Sequence, residues 1–270
     1  MSWFDTHCHL QSSLRNHKLQ TVLQHAHEKG VKKMVTVGTS PEDWTDYQKL
    51  AQSYPNQIYY SAGLHPGYVD ENWTNQVEGL ENFWKGMTIP VALGEVGLDF
   101  FRLPKNKTDA HKIMSWQREA FRYQLKIAQQ LNCPVIIHSR SAFNECIKEI
   151  DEADVDWEKV VFHCFTEGID QIKCLMNRGG RASFTGIVTF SGTEKLLEAV
   201  AYQGTKKLML ETDSPYLAPV PFRGQENEPA RIPEIACKLS SVLGELPARI
   251  EEITYQNSLS FYGLDLVDPT

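Results

Sequence analysis

The chemistry begins between the fifth and ninth residues, Asp5-Thr6-His7-Cys8-His9. Side chains alternate faces along an extended strand. In a strand over 3–10, His7 and His9 therefore point the same way, with Asp5 one step back on that face. Imidazole nitrogens at i and i+2 of one strand can meet a single metal ion. An H-x-H pair alone reads equally well as two polar residues near a strand end. Its meaning depends on which other donors the chain delivers to the same place.

The elements that must position those donors follow from hydrophobic periodicity and from stop signals. Beyond the first strand, strands are predicted over 31–38, 58–63, 89–95, 133–138, 159–163, 181–185 and 207–213. Helices are predicted over 17–29, from Ser40-Pro41 onward, and over 75–85, 115–131, 142–150, 168–177, 193–203, 233–243 and 248–262. The segment 133–138 is continuously apolar, as parallel strands buried on both faces tend to be. No linker, repeat or low-complexity run divides the series, and no Gly-rich phosphate turn follows the first strand. The pattern predicts an α/β protein, one (β/α)8 TIM barrel spanning 1–270, with an open doubly wound sheet as the alternative.

In such a barrel the polar residues fall in a telling place. Asp5, His7 and His9 end the first strand and His65 follows the third. Glu95 ends the fourth, His138 the fifth, His163 the sixth and Asp213 the eighth. C-terminal strand ends open at one mouth, where barrel enzymes keep their active sites. Gathering that many ionisable groups is costly unless a cation compensates them, and a metal selects neutral imidazole and ionised carboxylate. One ion can take His7 and His9 with Glu95 and Asp213. A second can take His138 and His163, with Glu95 shared. Nitrogen and oxygen donors without thiolate fit zinc, manganese, nickel or magnesium. Two divalent ions about 3.5–4 Å apart suit phosphoester hydrolysis through a metal-activated hydroxide.

Composition sets the wider limits. The 270 residues are 41% hydrophobic and 23% charged, with a formal net charge of −7. A chain so acidic is not a general nucleic-acid coat, although it can bind a polyanion through metal ions and a local basic patch. No apolar run approaches the roughly 18 residues of a membrane span, and no basic-then-apolar leader opens the sequence. A cytoplasmic protein without membrane contact or an obligate protein partner is the expectation. The six cysteines are scattered with no C-x-x-C pair, so neither a disulfide framework nor a Cys-based zinc site is indicated. Cys8 and Cys164, as strand neighbours of histidines, are expected to turn away from them into packed surface.

Several stretches together carry a resemblance. Asp5-Thr6-His7-Cys8-His9-Leu10, Gly94-Glu95-Val96-Gly97-Leu98-Asp99-Phe100, QREAFRYQLKIA over 117–128, PVIIHSR over 134–140, Phe162-His163-Cys164-Phe165 and ETDSPYLAPVPFRGQENEP over 211–229 occur in that order. The chain resembles the TatD family of metal-dependent deoxyribonucleases, within the amidohydrolase superfamily, nearly end to end. The resemblance implies that His7, His9, Glu95, His138, His163 and Asp213 hold the metal centre. It further implies that Asp213 orients or deprotonates the attacking water. His65 matches a G-x-H-P turn that lies near the substrate phosphate in the family. DNA is the implied substrate, attacked exonucleolytically at single-stranded ends. Two departures are visible: Thr166-Glu167-Gly168 replaces a small Ser-Gly pair, and 101–114 is longer and more basic than the family pattern. Both border the mouth and leave the ligands intact.

Residues for holding DNA are also legible. Arg140 and Arg223 lie in loops at the mouth and suit phosphate contacts. The stretch 102–126 carries Arg102, Lys105, Lys107, Lys112, Arg118, Arg122 and Lys126 against Asp109 and Glu119. It reads as a phosphate-tracking surface, with Phe100, Phe101 or Trp116 as candidates for base stacking, or as an ordinary solvated helix face. The same ligands serve acyl chemistry equally, for instance on an aminoacyl-tRNA ester or a cyclic amide. A barrel that lost catalysis and only binds is the third reading, which a complete ligand set disfavours.

Overall fold

The computed structural model describes residues 2–264. Strands β1 (Trp3–Cys8), β2 (Val31–Thr36), β3 (Ile58–Ala62), β4 (Ala92–Asp99), β5 (Val135–Arg140), β6 (Val160–Phe162), β7 (Arg181–Phe184) and β8 (Met209–Leu210) follow one another across the sheet in sequence order. This is the strand order of the predicted (β/α)8 class. Helices α1 (Gln11–Arg15), α2 (Leu19–Glu28), α3 (Pro41–Ser53), α4 (Trp73–Gln76), α5 (Lys107–Leu131), α6 (Phe143–Glu152), α7 (Ile169–Arg178), α8 (Glu194–Gln203), α9 (Ile232–Leu243) and α10 (Pro247–Tyr262) lie between and after them. Among the described residues, no helix is long and apolar enough to cross a membrane.

The chain divides into two compact units. Of the described residues, the first contains 2–36, Pro55–Tyr59 and 164–264; the second contains Val37–Tyr54 and Tyr60–His163. In the first, β7 pairs with β8 and β1 with β2, all parallel. There β8 runs on alongside β1: the Asp213 amide donates to the His7 carbonyl at 2.9 Å, and the His9 amide to the Ser214 carbonyl at 2.7 Å. All six residues of β1 are buried, so its polar side chains need internal partners. Thr6 donates to the Leu210 carbonyl, and Asp5 accepts from both the amide and the hydroxyl of Thr212. In the second unit β3, β4, β5 and β6 pair in parallel succession.

Local sequence explains most boundaries. Ser40 and Asp43 form the capping box of α3, with Pro41 at its first turn. Gly179, at φ 103°, terminates α7 in the left-handed conformation. Four expectations need correction. The predicted helix over 75–85 is the one-turn α4 and a separate 3-10 turn, Leu80–Lys85, divided at Gly79 in the left-handed region. Strand β4 begins later than predicted and continues past Glu95, which is therefore an interior strand residue rather than its end. Helix α5 starts at Lys107, two turns earlier than predicted, because the Asn106 side chain caps the Thr108 amide. Cys8 is buried as expected. Cys164 instead lies just beyond β6, half-buried at φ 45°, with its amide donating to Glu211.

Glycines in β4 set its approach to β5. A Cβ on Gly97, at φ 142°, would fall 2.0 Å from the His138 carbonyl oxygen. One on Gly94, at φ 157°, would fall 2.7 Å from Ile136 Cβ. Only glycine admits that closeness, and these two flank Glu95 opposite the strand that carries His138.

Candidate metal centre

In the first unit, three donors meet at the β1–β8 seam. His7 Nε2 and His9 Nε2 lie 3.2 Å apart, and Asp213 Oδ1 lies 3.6 Å from the former and 3.4 Å from the latter. The period-2 spacing of β1 places both imidazoles on one face, edge to face at 76°. Asp213 sits at φ 52°, a left-handed conformation that aspartate tolerates, with its amide donating a hydrogen bond to the His7 carbonyl. Ligand atoms about 2.1 Å from a tetrahedral ion lie about 3.4 Å from one another. The three separations bracket that value, so two imidazoles and a carboxylate are spaced as a metal would hold them.

In the second unit, the centre of the arrangement is the Glu95 carboxylate, only 2% exposed. Its Oε1 lies 2.7 Å from His138 Nδ1, 2.7 Å from His163 Nε2 and 3.4 Å from His65 Nε2. Burial alone raises the pKa of this carboxyl. The charges of His163 and His65 and the hydrogen bonds from His138 and His163 outweigh burial and hold it well below the usual carboxylate range. Glu95 is thus an ionised, nearly dry carboxylate facing three imidazoles, the donor chemistry that a divalent cation selects.

The three imidazoles are not equivalent. His138 turns Nδ1 to Glu95 Oε1 at 2.7 Å and is backed at Nε2 by Asp99 Oδ2, 3.3 Å away. That is the support ligating histidines commonly have. His65 differs, because its Nδ1 accepts the Gly67 amide at 2.9 Å. Its neutral form therefore carries the proton on Nε2, the atom turned toward Glu95 and His138. Burial lowers the His65 pKa in spite of Glu95. His65 lies among the candidate ligands but presents a donor N–H, not a lone pair.

The sequence-predicted residues therefore gather as follows. His7, His9 and Asp213 come together in the first unit. Glu95, His138 and His163 come together in the second, with His65 beside them. Arg140, at the end of β5, stacks its guanidinium 4.0 Å over the ring of Phe101. Arg223 stacks 3.7 Å over Phe190. Of the basic stretch, Arg122 is committed to the buried Glu149 carboxylate by a two-pronged ion pair, and Arg118 lies 5.2 Å over Phe100. Asp5 does not join the ligands, since both its oxygens are taken by Thr212, and burial pushes its carboxyl up to about 8.

Two working residues were not picked out from sequence. Asp99 supports His138, and the available signal was its period-2 spacing from Glu95 through Gly97. Glu211 is buried and accepts from the Cys164 amide and, at 2.6 Å, the Ser183 hydroxyl. In the sequence it is one residue of the stretch 211–229, where nothing marks it out.

Comparison with known proteins agrees with this chemistry. Residues 4–263 match the family described as TatD related DNase. The chain is 35% identical over 266 residues to an uncharacterized metal-dependent hydrolase of Escherichia coli K12, YcfH, covering 97% of this chain and 96% of that one. It is 30% identical to the uncharacterized metal-dependent hydrolase YabD of Bacillus subtilis, over 97% of this chain and 99% of its relative. Its fold matches the crystal structure of YJJV, a TatD homologue from Escherichia coli K12, with a TM-score of 0.87 and 26% identity. That match covers 97% of this chain and 98% of the other, consistent with the (β/α)8 class.

Proposed function

The chain belongs to the TatD family of metal-dependent hydrolases, and from that premise we propose that it is a deoxyribonuclease cleaving phosphodiester bonds at single-stranded DNA ends. The observation that carries this reading is the pair of donor sets. His7, His9 and Asp213 would hold one divalent ion; Glu95, His138 and His163 would hold another. Zinc, manganese, nickel and magnesium all fit such donors. Bound divalent ions supply Lewis acidity, stabilising charge on phosphoryl oxygens and lowering the pKa of water.

The chain's own residues divide the remaining work. Asp213 accepts the proton of the attacking water. His65, with its proton fixed on Nε2, donates to a phosphoryl oxygen as negative charge develops there. Arg140 and Arg223, each stacked on a phenylalanine, hold planar guanidiniums ready for neighbouring phosphates.

The test uses purified protein with labelled single-stranded DNA and, separately, aminoacyl-tRNA, each with Mg²⁺, Mn²⁺ or Zn²⁺ and with chelator. Shortening of the DNA that stops on chelation is expected. Intact DNA in every metal alongside a cleaved ester would replace the nuclease reading with acyl hydrolysis. Inertness toward both would favour a binding protein.

A further inference from the structure

Three aromatic residues near β4 and α5 were candidates for stacking on a base, and the structure separates them. Phe100 is half-buried with Arg118 above its ring, and Trp116 is half-buried on α5. Phe101 is 62% exposed. One face of its ring is covered by the Arg140 guanidinium at 4.0 Å, so the exposure belongs to the opposite face and the rim.

The position of this ring is not left to a loose loop. The Phe101 amide donates to Asp99 Oδ1 at 2.9 Å, while Asp99 Oδ2 meets His138 Nε2 at 3.3 Å. One carboxylate thus fastens the aromatic backbone with one oxygen and a candidate metal ligand with the other. The Phe100 amide adds a third tie, to the Arg140 carbonyl at 2.9 Å. The residue that backs the ring is therefore fixed to it through the main chain as well.

From this geometry we infer that Phe101, backed by Arg140, is a platform on which an unpaired nucleobase of the substrate stacks. This rests on the nuclease reading and specifies how a single strand is told from a duplex. A base inside a duplex offers no free face, whereas an unpaired terminal base does, and every base has a π-face, so the platform is indifferent to sequence. The guanidinium under the ring strengthens its grip on an electron-rich base and leaves N–H groups at its edge for the adjoining phosphate.

The test separates binding from cleavage. Dissociation constants are measured in chelator by fluorescence anisotropy, with the label at the far end of a single-stranded oligonucleotide. The same oligonucleotide with abasic nucleotides at the opposite end serves as the comparison. Phe101→Ala should weaken binding of the base-bearing strand about ten-fold, the size of one lost base stack. It should leave the abasic strand unchanged, and Phe101→Trp should restore the wild-type value. Equal effects on both strands, or none on the base-bearing strand, overturn the platform. Cleavage is then assayed with Mn²⁺. Phe101-dependent binding without cleavage keeps the platform and ends the nuclease reading. Cleavage that is indifferent to Phe101, with KM unmoved, keeps the nuclease and ends the platform. Neither binding nor cleavage ends both.

Discussion

At the residue scale, proton location sorts the imidazoles of the second unit. His65 accepts the Gly67 amide at Nδ1 and so offers an N–H at Nε2. His65→Asn should therefore lower kcat about 100-fold, as losing a donor to developing charge does. Metal affinity measured by calorimetry should stay within about two-fold; a ten-fold loss of affinity would make Nε2 a ligand instead. Asp99→Asn tests the opposite kind of residue. Its amide oxygen can still accept from Phe101, but the ionic hold on His138 Nε2 is gone. Metal affinity should fall about 10–100-fold. The ligand candidates were legible because imidazoles and carboxylates recur at predicted strand ends. The separate role of His65 was not, since it turns on which ring nitrogen meets Gly67, a matter of backbone conformation after β3. Asp99 is hidden for a related reason: the apolar run that marks β4 in the sequence stops at Glu95, whereas the strand itself continues to Asp99.

At the element scale, β4 decides how the second donor set is built. Its glycines allow the main chain to come within van der Waals distance of β5, which carries His138. Gly97→Ala would force a methyl to within 2.0 Å of the His138 carbonyl at a strained φ, so either the strand moves or the register slips. A loss of about 2–4 kcal/mol is expected from the urea midpoint, together with loss of metal binding. Gly192→Ala is the control. It too has a positive φ, 77°, but no heavy atom lies within 4 Å, so its cost should stay near about 1 kcal/mol with metal binding retained. Element identity was largely readable from apolar runs, Ser40-Pro41 and the glycine stops. The errors have local causes. Gly79 breaks a helical pattern that periodicity alone continues. Asn106 caps a helix whose first two turns are too polar to show a periodic face. Glycines within β4 obscured a strand that runs on beyond them.

At the scale of the whole molecule, the net charge of −7 opposes any polyanion, so productive contact depends on local positive groups. Arg122 is spent on Glu149, which removes it from the basic stretch and shifts attention to the exposed start of that stretch. Replacing Arg102, Lys105 and Lys107 together by Gln should flatten the dependence of log Kd for single-stranded DNA on log salt by up to about 2, at roughly 0.7 per phosphate contact. An unchanged slope would assign the whole electrostatic contribution to other groups. Metal should also appear in global stability. A divalent ion at about 100 times its dissociation constant stabilises the fold by about 2.7 kcal/mol, read as a rise in Tm that chelator reverses. His7→Ala should diminish that rise.

The seam between β1 and β8 has a consequence in time rather than space. Asp5 and His7 are synthesised well before their partners, Thr212 and Asp213, which lie more than 200 positions downstream. At ordinary translation rates of about 5–20 residues per second, that separation is a wait of about 10–40 s. Throughout it the N-terminal segment has none of its β8 contacts, and the carboxylate that completes the first donor set does not yet exist. A chain interrupted before β8, or clipped within it, cannot assemble that set however much else it retains. Because its donors stand about 200 residues apart, this site becomes competent only once the chain has been made through Asp213, so products that stop short of it carry no complete first donor set.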